Sequence, residues 1–356
     1  MTDRFRLTLA QLNPVMGDIE GNAARAREAW AQGRTAGADM VALPEMFLVG
    51  YNPQDLVLRP AFQAAAMREV EALARDCAEG PALGIGGLWR EGAQLHNAWF
   101  VLQGGRIAAV MLKHHLPNYL VFDEKRTFAS GPVSGPYAVG PVRIGTPVCE
   151  DAWFPDVAET QAETGAEMLL VPNGSPYYRD KMEVRLNHMV ARVVETELPL
   201  VYLNMVGGQD DQVFDGASFV LNPGGELVVQ LPVMEEALAH VDFERGAEGW
   251  RARPGARAQI PDALEQDYHA MVVALRDYMR KSGFEKALVG LSGGIDSATV
   301  AAVAADALGP ENLRCVMLPS EYTSPDSLED AAGVAGALGT RLDELPISGP
   351  RAAVTE

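Results

Sequence analysis

Through roughly the first 250 residues, short apolar runs alternate with helical patterns, the signature of a layered α/β fold. Apolar and polar positions alternate from Phe5 to Leu12, which predicts a strand. A helix follows near Ile19–Arg34 and closes at Gly37, and strand Met40–Leu43 then stops at Pro44. A second helical stretch, Pro60–Ala78, precedes strand Leu83–Leu88. Two β-rich runs, Asn97–Gln103 and Arg106–Lys113, flank Gly104-Gly105, a hairpin signal. Beyond them the pattern predicts strands Val142–Cys149, Glu167–Val171 and Leu198–Asn204, a helix near Tyr178–Glu195, and a hairpin turning at Asn222–Gly225.

The periodicity fails at 246–261, a glycine-rich, arginine-rich stretch that reads as a linker. Past it lie a helix over Asp262–Lys281, strand Lys286–Gly290, a Gly-rich turn, helix Ser297–Leu308 and strand Leu313–Leu318. A helix at Ser324–Leu338 and a short strand, Leu345–Ile347, complete a doubly wound start. The expected division is therefore 1–245, linker 246–261 and 262–356.

Composition narrows the classes. Of 356 residues 48% are apolar and 22% charged, which excludes disordered and fibrous architectures. Against 48 acidic residues stand 29 lysines and arginines, a net charge of −19. Such a chain has no global pull toward nucleic acid or anionic membrane, so a bound phosphate must be held by local geometry. Cys77, Cys149 and Cys315 have neither metal-ligand spacing nor disulfide density, which suits a reducing cytoplasm. The N-terminus lacks the apolar core of a signal peptide. The apolar stretch 287–309 is broken by Asp296 and Asp306, so no membrane span is expected.

Two segments carry candidate chemistry. Leu288–Ser297 is an apolar strand that opens through Ser292-Gly293-Gly294-Ile295-Asp296-Ser297 into an Ala/Val-rich helix. Glycines let backbone N–H groups approach a phosphate, and the helix start favours the anion. There is no Gly-Lys-[Ser/Thr]; Ser292 and Ser297 can donate hydroxyls to pyrophosphate, and Asp296 can hold Mg²⁺. A bare Gly-Gly here would read as a tight turn, but the full hexapeptide resembles the signature of the ATP pyrophosphatases. With Met317–Ser324 following, it is similar to their NAD synthetase branch, which implies ATP as a substrate and places the Met317 strand beside adenine. No Gly-x-Gly-x-x-Gly follows any strand, which argues against an NAD-using dehydrogenase.

The second segment centres on Cys149, read at the end of an apolar strand against an acidic loop. Most strand cysteines are inert buried hydrophobes, and Cys77 and Cys315 read that way. A thiol nucleophile needs a base or cation nearby. Glu45 and Lys113, at two other strand ends, can supply both. Together the three residues resemble the Glu-Lys-Cys triad of the nitrilase superfamily, whose members cleave carbon–nitrogen bonds on an α-β-β-α sandwich. The runs Leu43–Pro53, Lys113–Tyr119, Val121–Arg126 and Asn173–Tyr177 are similar to the glutaminase domain of the glutamine-dependent NAD synthetases. By that resemblance Glu124 orients Lys113 and the nucleophile, and Tyr51, Tyr119, Glu150 and Ser175 line a glutamine pocket. His114-His115 lacks zinc-site spacing and reads as an exposed loop pair, and Gly207–Asp211 reads as a flexible acidic turn.

The resemblance implies a carbon–nitrogen ligase with glutamine as amido donor. Glutamine hydrolysis supplies ammonia that amidates adenylated nicotinate adenine dinucleotide, giving NAD, AMP and pyrophosphate without a prosthetic group. It also implies a cytoplasmic homo-oligomer assembled through the nitrilase-like half, with no nucleic-acid or membrane partner. Fifty-nine residues follow Ser297 and three strands follow the linker, so the expectation is an incomplete, C-terminally truncated synthetase domain and a chain that retains only the glutaminase step. A stand-alone amidase and an ammonia-donating, nucleotide-responsive binding subunit are the two other readings.

Overall fold

A computed structural model describes residues 3–355; Met1, Thr2 and Glu356, which fall in the expected N-terminal segment and at the end of the second domain, lie outside the described residues. The chain divides into two compact units, Met1–Ala263 and Leu264–Glu356.

In chain order the first unit begins β1 (Arg4–Gln11), α1 (Ile19–Thr35), β2 (Met40–Ala42), α2 (Pro60–Asp76), β3 (Ala82–Glu91), β4 (Gln94–Gln103) and β5 (Arg106–Leu112). It continues through β6 (Tyr137–Val139), β7 (Val142–Gly145), α3 (Pro155–Glu163), β8 (Met168–Asn173), α4 (Lys181–Thr196) and β9 (Leu200–Asn204). The ribbon β10 (Val206–Gln209) and β11 (Gln212–Asp215) leads to β12 (Phe219–Asn222), β13 (Glu226–Gln230), β14 (Ala237–Gly246) and β15 (Gly249–Ala252). One sheet has the order β15-β14-β1-β2-β3-β4-β5 and the other β13-β12-β9-β8-β7-β6. In both, parallel strands occupy the centre and antiparallel strands the flanks.

Strand periodicity explains the layers. In β2, Met40 and Ala42 point to the core shared by the two sheets and Val41 points to α1 and α2. In β8, Met168 and Leu170 face the other sheet while Leu169 and Val171 pack under α3 and α4. Because both faces are covered, these strands read as continuous apolar runs. The result is the α-β-β-α sandwich that the resemblance implied.

Three expectations change here. The 246–261 stretch opens inside the sheet: Trp250 is buried, and Gly249–Ala252 pairs with β14, which itself pairs with β1 along all eight positions from Arg4↔Glu244 to Gln11↔Ala237. An edge ribbon packed on one face carries too few apolar residues to announce itself. Gly207–Asp211 belongs to the β10–β11 hairpin, not a loose turn. Strand Val142–Cys149 ends early, at Gly145: Pro147 cannot donate to a ladder, and the Val148 N–H donates to Asp151 Oδ2 at 3.0 Å.

The second unit holds α5 (Ala263–Lys281), β16 (Ala287–Gly290), α6 (Ile295–Leu308), β17 (Leu313–Met317), α7 (Pro325–Leu338), β18 (Arg341–Glu344) and α8 (Ser348–Thr355). Its three strands are parallel in the order β16-β17-β18. A small core of Leu291, Ala301, Ala304, Leu313, Cys315, Met317, Ala331 and Ala335 joins strands to helices. The last strand is Arg341–Glu344, ahead of the expected Leu345–Ile347, because pairing with β17 begins directly after the Gly339 cap of α7. Among the described residues no helix is long and apolar enough to cross a membrane.

Candidate active site

Loops leaving the strand ends of both sheets of the first unit carry the residues expected to act. Glu45 follows β2 in a loop pressed against β3: Leu43 N–H donates to Gly84 O at 2.8 Å and Leu48 N–H to Gly86 O at 3.0 Å. A Cβ at Gly86 would sit 2.1 Å from the Met46 nitrogen, so only glycine permits that approach. Lys113 follows β5, where its N–H still donates to Asn97 O at 2.9 Å. Its Nζ donates to Glu45 Oε1 at 2.7 Å and to Glu124 Oε1 at 3.0 Å, and all three side chains are at most 1% exposed. Tyr51 OH donates to Glu124 at 2.9 Å, Asn97 Nδ2 to Glu45 Oε1 at 2.7 Å, and the Gly174 N–H to Glu45 Oε2 at 2.8 Å.

One cation between two carboxylates fixes the charge states. Burial alone would push the Lys113 ammonium down, but Glu124 and Glu45 hold it well above its usual pKa. Burial and the neighbouring Glu45 push Glu124 upward. Cys149 is buried, opens a 3-10 turn over Cys149–Trp153 and has φ +50°. Burial, then Glu45, raises its thiol well above the ordinary value, with Lys113 opposing. At rest Cys149 therefore keeps its proton as a thiol, and a thiol that is to attack a carbonyl needs an acceptor for that proton.

Asp151, which the sequence reading did not single out, ties this turn to the lysine loop. Its Oδ1 accepts from the N–H groups of His114 (3.0 Å) and His115 (2.7 Å), and burial raises its carboxyl to about 6. Asn97 was missed too. A buried asparagine inside an otherwise apolar strand was the available signal, whereas nothing in a sequence marks the Gly174 backbone donor.

Glu150, next to Cys149 in the chain, lines a cavity of about 680 Å³ together with Tyr119, Lys125, Phe128, His114 and His115, among others; Tyr51 and Ser175 do not line it. Tyr119 OH donates to Glu150 Oε2 at 2.9 Å. Burial pushes Glu150 up. Lys181, at the start of α4, is a further residue that sequence reasoning missed. It lies over the rings of Trp153 (4.3 Å) and Tyr178 (4.5 Å), and burial, then Arg185, lowers it to about 8 while Cys149 and Glu150 oppose the shift. Ser175 is buried and held from behind: Arg185 Nε donates to its hydroxyl at 3.1 Å, and Arg185 Nη1 pairs with Asp215 at 2.7 Å.

In the second unit Ser292, Gly293, Gly294, Asp296 and Ser297 come together between β16 and α6. Ser292 N–H donates to Ser297 Oγ at 3.1 Å, Gly294 N–H to Ser292 Oγ at 3.3 Å, and Ser297 Oγ to Gly294 O at 2.9 Å. Gly293 has φ +83°, and a Cβ there would stand 2.4 Å from Ser327 O. The helix begins at Ile295, so Asp296 occupies its first turn. Met317 differs from the rest: its side chain is buried in the unit's small core, so what β17 offers a ligand at that point is backbone.

A sandwich with a Glu-Lys-Cys cluster at its strand ends defines a class of carbon–nitrogen bond-cleaving proteins. Residues 6–251 match the carbon-nitrogen hydrolase family, and the chain belongs to it. Residues 267–356 match NAD synthase. The chain is 62% identical to the glutamine-dependent NAD(+) synthetase of Rhodobacter capsulatus over 99% of its own length and 64% of that protein's. Among solved structures it is similar to the glutamine-dependent NAD+ synthetase from Acinetobacter baumannii in complex with ADP, with TM-score 0.94 and 34% identity over 99% of this chain and 66% of that one. It is also similar to a mutant amidase from Nesterenkonia sp. AN1 that carries the acetamide moiety of fluoroacetamide covalently at its active-site cysteine. There the TM-score is 0.61 and the identity 27%, over 67% of this chain and 90% of that one. The chain thus spans just under two thirds of the length of the synthetases it matches.

Proposed function

We propose that the first unit hydrolyses glutamine and that the two units serve glutamine-dependent NAD synthesis. The observation that carries this reading is Lys113 held between Glu45 and Glu124 beside the buried Cys149 turn. As Sγ attacks the amide carbon, Glu45 takes the thiol proton and the Lys113 ammonium stabilises the oxyanion. Collapse breaks the C–N bond, the proton held on Glu45 passes to the departing nitrogen as ammonia, and a thioester remains. Glu45 then removes a proton from water, whose oxygen attacks the thioester. Glutamate leaves and the thiol is restored.

Glutamine is favoured over a simple amide by the charges in the pocket. Glu150 suits the α-ammonium and Lys181 the α-carboxylate of an amino acid, with Tyr119 shaping the wall and Tyr51 and Ser175 assigned to the pocket by resemblance. The Ser292–Ser297 loop would hold the pyrophosphate of ATP as substrate and Asp296 its Mg²⁺; the metal would neutralise the phosphate charge that develops as adenylate forms. A cytoplasmic setting, deamido-NAD as the acceptor and a homo-oligomer built through the first unit belong to the same proposal.

Glutamate release from glutamine tests the first step: Cys149→Ala should lose it, while Cys77→Ala and Cys315→Ala keep it. Activity retained in Cys149→Ala overturns the assignment. A coupled assay with glutamine, Mg-ATP and nicotinate adenine dinucleotide tests the second. The reading that confines this chain to the glutaminase step draws no support from the comparisons, since both families match. NAD formation that needs Cys149 with glutamine but not with ammonium supports the full reaction, and glutaminase activity without NAD formation returns the narrower reading.

A further inference from the structure

On the wall of the cavity that Glu150 lines, the structure brings together three side chains able to bind a metal that serve no step above, two of them lining it and Asp156 beside them. His114, His115 and Asp156 place one ligand atom each within 4.8 Å of one another. The expected exposed histidine pair is in fact half-buried and tethered. His114 Nδ1 lies 2.7 Å from the Gly131 carbonyl, which can only accept, so Nδ1 carries the proton and Nε2 keeps its lone pair. A backbone carbonyl in that role is the usual device for orienting a ligating imidazole. His115 Nε2 lies 2.9 Å from both carboxylate oxygens of Asp156, and Phe154 packs against its ring at 4.5 Å.

We propose that His114 Nε2, His115 Nε2 and Asp156 bind a divalent transition cation of the Zn²⁺ type, and that the bound ion slows glutamine hydrolysis by narrowing the cavity mouth. Two imidazoles and one carboxylate with an open fourth position suit zinc chemistry. The cation would take the place of the proton between His115 Nε2 and Asp156, and a neutral His115 ring ligates through Nε2 by carrying its proton on Nδ1 instead. Metal–nitrogen bonds of about 2.1 Å in a tetrahedral site put ligands roughly 3.4 Å apart, so the widest pair must close by about 1.4 Å. The Asp156 side chain is half exposed and can turn to do so. His114, His115 and Phe154 line the same cavity as Tyr119 and Glu150, so an ion there stands in the path to Glu150.

The inhibition rests on reading that cavity as the glutamine entrance; the binding does not. Zn²⁺ titration by calorimetry should use the full chain with Cys149→Ser, which removes the competing catalytic thiol. It should show one site that Asp156→Asn or His115→Gln weakens by at least about tenfold. Co²⁺ in the same protein should give the visible absorption of a tetrahedral N/O site. Zn²⁺ binding that ignores both substitutions overturns the site. With Cys149 intact, Zn²⁺ should inhibit glutamate release reversibly to chelator, and Asp156→Asn should shift that inhibition to higher Zn²⁺. Inhibition unmoved by Asp156→Asn, or Asp156-dependent binding without inhibition, overturns the narrowing. A chain without glutaminase activity would sink the functional reading and leave the binding result standing.

Discussion

The two units build their candidate sites in opposite ways. In the second, six consecutive residues make the loop, and hydrogen bonds among Ser292, Gly294 and Ser297 hold it, with the Ser327 backbone close against Gly293. In the first, Glu45, Asn97, Lys113 and Glu124 gather from strand ends and loops of one sheet, and Cys149 and Gly174 reach them from the other because the two sheets pack face to face. Burial follows the same division. Central strands of the first unit are buried on both faces, whereas β16 alternates: Leu288 is 68% exposed and Val289 packs inward. A site assembled from afar must be buried to keep its geometry, and burial then sets its charge states. A local loop can remain open, and its groups keep access to water and to a highly charged ligand.

The largest effect should come from removing the proton acceptor. Glu45→Gln keeps the size and the Lys113 contact but removes the base, so kcat for glutamine should fall by about 10²–10⁴. A burst of ammonia measured by rapid quench would show whether thioester formation or its hydrolysis suffers more. A loss below tenfold would break the claim that a buried thiol needs this carboxylate.

Next are the glycines that let backbones meet. Gly86→Ala places a methyl group against the Glu45–Met46 backbone and should cost about 1–3 kcal/mol in denaturant unfolding, with a fall in glutaminase activity. Gly290→Ala, at the end of β16, meets no atom within 4 Å among the described residues and should stay within about 0.5 kcal/mol. Equal costs would erase the contrast between the units.

Loss of the clamp behind Ser175 should cost more stability than Gly86→Ala. Arg185→Met leaves Asp215 buried and unpaired, at a cost of about 3–5 kcal/mol. Arg185→Lys should recover part of that stability while keeping a raised KM for glutamine, because Lys cannot span Ser175, Pro176 and Asp215 together.

The smallest expected effect is a pH dependence. Lys181 titrates near 8, so it carries its charge below that value and loses it above. KM for glutamine should therefore rise as pH passes 8 while kcat changes less, and Lys181→Arg should move the rise to higher pH. A KM that is flat through pH 9 in the wild type would remove Lys181 from substrate binding.

Sequence alone determined what depends on neighbours along the chain. The alternating run that became β1, the continuous apolar runs that became β2, β8 and β9, the glycines closing helices, and the Ser292–Ser297 loop were legible because their physics is local. Glu45, Lys113 and Cys149 were legible only as residue types placed near strand ends, and their grouping came from resemblance. Tertiary structure decided the rest. It moved Cys149 off its strand into a turn held by Asp151, recruited Asn97 and the Gly174 N–H, tethered His114 to Gly131, and turned an arginine-rich stretch into β15. The Asp151 turn and the β15 ribbon close over a few residues, whereas Asn97 and the Gly174 N–H reach Glu45 across 52 and 129 residues and become its neighbours only when apolar burial brings strands and sheets together.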